Sequence, residues 1–144
     1  FDPSDLSPQG QFNYEGEGWG ITSDGEQLWM SNGSSNLIQI SASGEEISRV
    51  EVTLDGQILN FLNELEWING LIAANRWFDD SIYFIDPATG EVQTTLDLSE
   101  LAAPHRGNQQ HVLNGIAWND ERQTLWVTGK YWDALYEIKM ELLE

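Results

Sequence analysis

Residues 114–138 run Asn114-Gly115-Ile116-Ala117-Trp118, then Leu125-Trp126-Val127-Thr128, then Ala134-Leu135-Tyr136-Glu137-Ile138. Three short stretches rich in β-branched and aromatic residues, divided by polar turns, are the pattern of an antiparallel meander. The pattern recurs upstream. Asn63-Glu64-Leu65-Glu66-Trp67, Leu71-Ile72-Ala73-Ala74-Asn75 and Ser81-Ile82-Tyr83-Phe84-Ile85 form one earlier copy. Trp19-Gly20-Ile21, Leu28-Trp29-Met30 and Leu37-Ile38-Gln39-Ile40 form another. Superposing the copies puts Trp19, Asn63 and Asn114 at one equivalent position, 44 and 51 residues apart. Gly33, Trp77 and Lys130 fall at a second.

Self-similarity at about 40 to 50 residues, carried by short strands, is the signature of β-propeller blades. Asp24-Gly25, Asn69-Gly70 and Asp86-Pro87-Ala88-Thr89-Gly90 supply the turns. Outer strands are expected over residues 46–53, where Arg49 and Glu51 alternate with Val50 and Val52, and over residues 91–98. Phe12 to Tyr14 reads as a further outer strand, residues 98–103 as a short helical turn, and residues 101–110, with Pro104 and Gly107, as a loop. The expected fold class is therefore all-β: a β-propeller of about three four-stranded antiparallel blades. They would run over approximately 15–55, 60–100 and 111–144 of a single domain spanning 1–144, with 1–14 as tail and outer strand. Because propellers close with about four to eight blades, three imply either further upstream blades or a homo-oligomer.

Composition narrows the partners. The 144 residues include seven Trp, four Tyr and five Phe, too aromatic for a disordered chain, and a domain of this size buries roughly 70% of its unfolded surface. Twenty-four acidic residues against six Lys and Arg give a net charge of −18, a field that repels nucleic acid and anionic membrane surfaces. The carboxylates are scattered, as on a solvated acidic surface. The absence of cysteine removes disulfides and thiolate metal sites.

In a propeller, equivalent blade positions become neighbours at one mouth of the central channel. Trp19, Asn63 and Asn114, with Trp77 and Lys130, would ring that mouth. Aromatic walls, carboxamides and one cation suit a small polar organic ligand better than a metal, so no metal or cofactor is expected. Trp29, Trp67, Trp118 and Trp126 occupy matching apolar strand positions and read as core. His105 and His111 read as solvent-exposed loop residues. Thr128-Gly129-Lys130 lacks the glycine-rich run of a phosphate loop, and no Ser/His/Asp set is recognisable.

Tyr14-Glu15-Gly16-Glu17-Gly18-Trp19-Gly20, Leu62-Asn63-Glu64-Leu65-Glu66-Trp67, Ala74-Asn75-Arg76-Trp77, Val112-Leu113-Asn114-Gly115-Ile116-Ala117-Trp118 and Val127-Thr128-Gly129-Lys130-Tyr131-Trp132 together resemble the plant and bacterial glutaminyl-peptide cyclotransferases, a five-bladed β-propeller family. Such enzymes convert the N-terminal glutamine of a peptide to pyroglutamate with release of ammonia. The resemblance implies Lys130 and Asn63 as catalytic residues and Trp19, Trp77 and Asn114 as substrate-binding ones. It also implies a glutamine-terminated peptide as partner, no metal, and export to the periplasm or outside the cell. It departs from the pattern in one respect. The family's Phe-Thr-Gln-Gly and Phe-Gly-Glu-Gly motifs have no counterpart, and the second carries the proposed acid/base glutamate; Glu17 is not a replacement, since it belongs to the following blade. Two non-enzymatic readings stand beside this one: a peptide- or ligand-binding module, and a self-associating propeller fragment.

Overall fold

The computed structural model describes residues 1–107 and 109–140. Its strands are β1 (Gly20–Ser23), β2 (Leu28–Ser31), β3 (Asn36–Ile40), β4 (Glu46–Glu51), β5 (Thr53–Leu54), β6 (Gln57–Ile58), β7 (Leu62–Ile68), β8 (Leu71–Arg76), β9 (Ser81–Ile85), β10 (Val92–Asp97), β11 (Leu113–Asn119), β12 (Thr124–Gly129) and β13 (Tyr136–Lys139). A helical turn, α1 (Ser99–Ala102), continues as a 3-10 turn at Ala103–His105. The chain folds as propeller blades: antiparallel sheets ordered β1-β2-β3-β4, β10-β9-β8-β7 and β11-β12-β13, with β5-β6 as a small hairpin between the first two. Among the described residues the third blade has three strands; the expected end of that blade at residues 141–144 lies outside them.

Sequence dictates the turns directly. Ile68 pairs with Leu71, so Asn69-Gly70 is a two-residue hairpin loop, and its φ values of 49° and 87° are those a primed turn requires. Residues 12–14 differ from expectation. They form no strand; the Phe12 ring lies against Gly44, where any Cβ would collide with it, and Phe12 and Tyr14 border a hollow with Met30 and Ile40. Without a paired neighbour for their backbone, apolar alternation brings these side chains onto the first blade's face instead.

The second blade is buried on both faces, which explains its continuous apolar runs. Tyr83 and Ile85 of β9 join Ile72 and Ala74 of β8, Leu65 of β7 and the first blade's Trp29 and Leu37 in one core cluster. The alternate residues Ile82, Phe84 and Ala73 join Leu113, Leu125 and Val127 of the third blade in another. Each fully buried Leu or Ile contributes about 1.5–3 kcal/mol. Trp67 packs at the edge of the first cluster and Trp118 at the edge of the second. Trp126, expected in the core, is half-buried outside both. It occupies the position that in the first blade turns Trp29 toward the second blade, so strand alternation turns it away from the second cluster.

Polar latches complement this packing, and they follow the repeat. Thr22 and Glu66 are equivalent residues of β1 and β7; each accepts a hydrogen bond from the backbone N–H of the next blade, Trp67 and Trp118, at 2.8 Å in both cases. Ser31 and Asn75 are equivalent residues of β2 and β8. Ser31 donates its hydroxyl to the Asn63 carbonyl, and the Asn75 carboxamide oxygen accepts from Gly115 N–H at 3.1 Å. In the third blade the corresponding positions hold Ala117 and Thr128, and Thr128 donates within its own blade to Ala134. Asn75 is fully buried, and its carboxamide nitrogen has no partner among the described residues; removing the group strands the half-buried Gly115 N–H and leaves a void, at a net cost of about 1 kcal/mol or more. Asn75→Ala should lower the unfolding free energy by about that amount in urea titration, whereas a change near zero would mean that the latch is dispensable.

Candidate functional site

The five residues singled out from the repeat converge. Trp19, Asn63, Trp77, Asn114 and Lys130 line one cavity of about 510 Å³, together with Glu17 and Glu64. Trp19 immediately precedes β1; Asn63 and Asn114 lie near the starts of β7 and β11; Trp77 and Lys130 immediately follow β8 and β12. Backbone bonds fix the last two equivalently: Trp77 N–H donates to the Phe61 carbonyl and Lys130 N–H to the Val112 carbonyl, both at 2.9 Å.

Trp19 and Trp77 meet edge to face, centroids 5.0 Å apart and planes at 74°. Gly33 makes room for this wall. Its φ is 80°, and a Cβ there would lie 2.6 Å from the Trp19 ring, so glycine is required on both counts. The Trp19 indole N–H donates to Glu17 at 2.8 Å, which fixes the ring and occupies that carboxylate. Lys130 Nζ sits 5.5 Å from the Trp77 ring centroid, within cation–π range. The four arginines are differently engaged, paired with Glu46, Asp79, Asp80 and Glu137.

Glu64 is the lining residue that sequence reasoning missed. Period-two alternation puts neighbours Asn63 and Glu64 on opposite faces of a regular strand, but β7 is not regular there. Leu62 pairs with Arg76 and Leu65 with Ala74, leaving Asn63 and Glu64 opposite the single residue Asn75. This bulge turns both side chains to the cavity. The same irregularity recurs between Leu113 and Ile116, where the counterpart of Glu64 is Gly115 at φ 143°. Burial pushes the half-buried Glu64 carboxyl above its ordinary value; the Lys130 ammonium pulls it down, and Glu66 pushes it further up. Asn114 keeps a buried carboxamide oxygen with no partner among the described residues. Asn63 is itself buried, its carbonyl held by Ser31. The site thus offers one cation, one uncommitted carboxylate and two carboxamides between aromatic walls.

The histidines lie elsewhere and are not free loop residues. His105 stacks on Trp132 at 4.5 Å and shares a 2.7 Å hydrogen bond with the Tyr136 hydroxyl, pinning the loop after α1 to the third blade. His111 stacks on Tyr131. Aromatic neighbours from β13 and the turn before it, distant in sequence, overrode the polar look of this loop.

Comparison with known proteins gives one consistent result. A sequence model of the glutamine cyclotransferase family matches residues 1–140. The glutaminyl-peptide cyclotransferase of Arabidopsis thaliana is 38% identical over 131 residues, which is 87% of this chain and 40% of that protein. The crystal structure of Myxococcus xanthus glutaminyl cyclase superposes with a TM-score of 0.81 at 38% identity, covering 86% of this chain and 55% of that one. This chain therefore spans about half or less of these relatives. Kuenenia stuttgartiensis hydrazine synthase, with a TM-score of 0.58 at 15% identity over 93% of this chain and 35% of that one, shares the fold alone.

The raised Glu64 pKa has a definite linkage sign. Folding favours the protonated carboxyl, so its contribution is present at low pH and is lost as pH rises through the folded pKa. Glu64→Gln, permanently neutral, should unfold at higher urea than the native chain near pH 7, with the gap closing below about pH 4. A gap of constant size across this range would contradict the burial of the charge.

Proposed function

The chain belongs to the glutamine cyclotransferase family, and from that premise we propose that it supplies the substrate-holding wall of a glutaminyl-peptide cyclotransferase. The observation that carries the reading is the gathering of Trp19, Asn63, Trp77, Asn114 and Lys130 around one cavity of about 510 Å³, large enough for one amino-acid residue. The same reading takes residues 1–144 as one propeller-type unit with blades over approximately 15–55, 60–100 and 111–144.

The proposed substrate is a peptide with an N-terminal glutamine. Its α-amine attacks the side-chain amide carbon, a C–N bond forms a five-membered lactam, and the C–NH₂ bond breaks. The amine gives up a proton, the departing nitrogen takes one, and the products are pyroglutamyl peptide and ammonia. Lys130 would place positive charge against the oxyanion that develops on the amide oxygen. Asn63 would hold the amide from the neighbouring blade, and Asn114, whose carboxamide oxygen has no partner among the described residues, would accept from the substrate. Trp19 and Trp77 would confine the side chain in the folded conformer that cyclisation needs. Glu64 is placed to meet the α-ammonium: it is the lining carboxylate left uncommitted once Glu17 is held by the Trp19 indole. Its upward shift makes it a stronger proton acceptor than an ordinary carboxylate.

Both Asn63→Ala and Lys130→Ala should weaken binding of a short glutamine-terminated peptide by at least about tenfold, roughly 1.4 kcal/mol, with far-UV circular dichroism unchanged. Ammonia release measured beside binding separates an enzyme from a binding module, since binding without turnover supports the second. Unaltered binding in both variants would contradict the assignment of the cavity.

A further inference from the structure

Two turns flank the cavity at equivalent positions and share a feature the proposed reaction does not use. In residues 76–79, Asp79 N–H bonds to the Arg76 carbonyl at 3.1 Å; in residues 129–132, Trp132 N–H bonds to the Gly129 carbonyl at 3.2 Å. The second residue of each turn is a cavity residue, Trp77 or Lys130. The third is left-handed: Phe78 at φ 66° and Tyr131 at φ 61°. A turn with negative φ at its second residue and positive φ at its third is the type II pattern, which favours glycine or asparagine in the third place. Here both blades put a bulky aromatic there.

Burial does not offset that strain. Phe78 is 65% exposed and Tyr131 73%. Each rests one face on a neighbour: Phe78 stacks on Trp77 at 4.9 Å and 11°, and Tyr131 on His111 at 5.5 Å and 24°. Phe61, whose carbonyl holds the Trp77 turn, repeats the combination, with φ 70° and 51% exposure. Strained backbone that keeps a large apolar side chain in water points to a ligand-facing role. Continuity with the cavity identifies the ligand. A peptide whose first residue fills the cavity can bring its second residue onto the turns that carry Trp77 and Lys130, the next residue being about 3.3 Å away along an extended chain.

We propose that Phe78 and Tyr131 form an aromatic rim that binds the side chain following the N-terminal glutamine and selects apolar or aromatic residues there. The inference rests on the cyclotransferase reading of the cavity. Phe78 is stacked on the cavity residue Trp77, and Tyr131 carries a second exposed ring on the residue next to Lys130. Glycine or alanine at the second substrate position would leave both rings in water.

The test uses Phe78→Gly, Tyr131→Gly and the double variant, with the peptides Gln-Phe-Ala-amide, Gln-Gly-Ala-amide and N-acetyl-Gln-Phe-Ala-amide as ligands in calorimetric titrations. The native chain should bind the Phe peptide roughly tenfold more tightly than the Gly peptide. In the double variant that ratio should fall to about one, while the thermal midpoint rises, because glycine relieves the left-handed strain. A ratio unchanged by the double substitution overturns the rim. So does a fall in thermal midpoint, which would make the rings structural. The acetylated peptide separates the two readings: if it binds as tightly as its free-amine parent and the Phe preference still follows residues 78 and 131, the rim stands and the N-terminal glutamine reading fails. Absence of binding by all three peptides overturns both.

Discussion

Four hydrogen bonds that run from one blade to the next set the geometry on which the site depends. Ser31 holds the carbonyl of Asn63, and Asn75 holds the N–H of Gly115. These backbone atoms belong to the two bulges that present the cavity residues. Thr22 and Glu66 fasten the same strands a few residues further along, at Trp67 and Trp118. The directional bonds therefore fall where blade docking and cavity shape are one problem. The apolar clusters on either side of the second blade supply most of the stabilisation but little direction. A cavity assembled from three blades needs both, since a loosely docked blade would move its share of the wall by ångströms.

Much of this was legible in the sequence because a propeller turns a linear repeat into spatial neighbourhood. Once Trp19, Asn63 and Asn114 are aligned, along with Gly33, Trp77 and Lys130, their meeting at one cavity follows from the fold alone. Glu64 was not legible, for a reason that is equally physical. A strand's period-two rule separates it from Asn63, and the extra residue that defeats the rule shows itself in pairing register rather than composition. The recurring Asn-X pair, Asn63-Glu64 and Asn114-Gly115, was the one available signal, since Gly115 in a strand marks a bulge. His105 and Phe12 escaped notice because their partners, Trp132 with Tyr136 and Gly44 with Met30, come from segments that alternation and loop polarity do not connect. Trp126 was misplaced by treating equivalent positions as equivalent burial, although burial also depends on what the neighbouring face meets.

Electrostatics give the cavity its character within a chain of net charge −18. The four arginines are each matched to a carboxylate, which leaves them little part in ligand recognition. Lys130 stands over an indole face, a setting that keeps its charge available to a ligand. Glu64 faces it from the next blade, close enough to be pulled down in pKa and buried enough to be pushed up more. Two opposed charges, neither fully neutralised by the protein, are what a substrate carrying an ammonium and a developing oxyanion requires.

The most direct test of the account is an NMR titration with a glutamine-terminated peptide, reading the indole N–H resonances of the seven tryptophans. The account predicts that Trp19 and Trp77 shift on binding while Trp29, Trp67 and Trp118, packed between the blades, stay in place. Shifts confined to Trp126 or Trp132, with Trp19 and Trp77 unmoved, would contradict it and place the binding surface on the third blade instead.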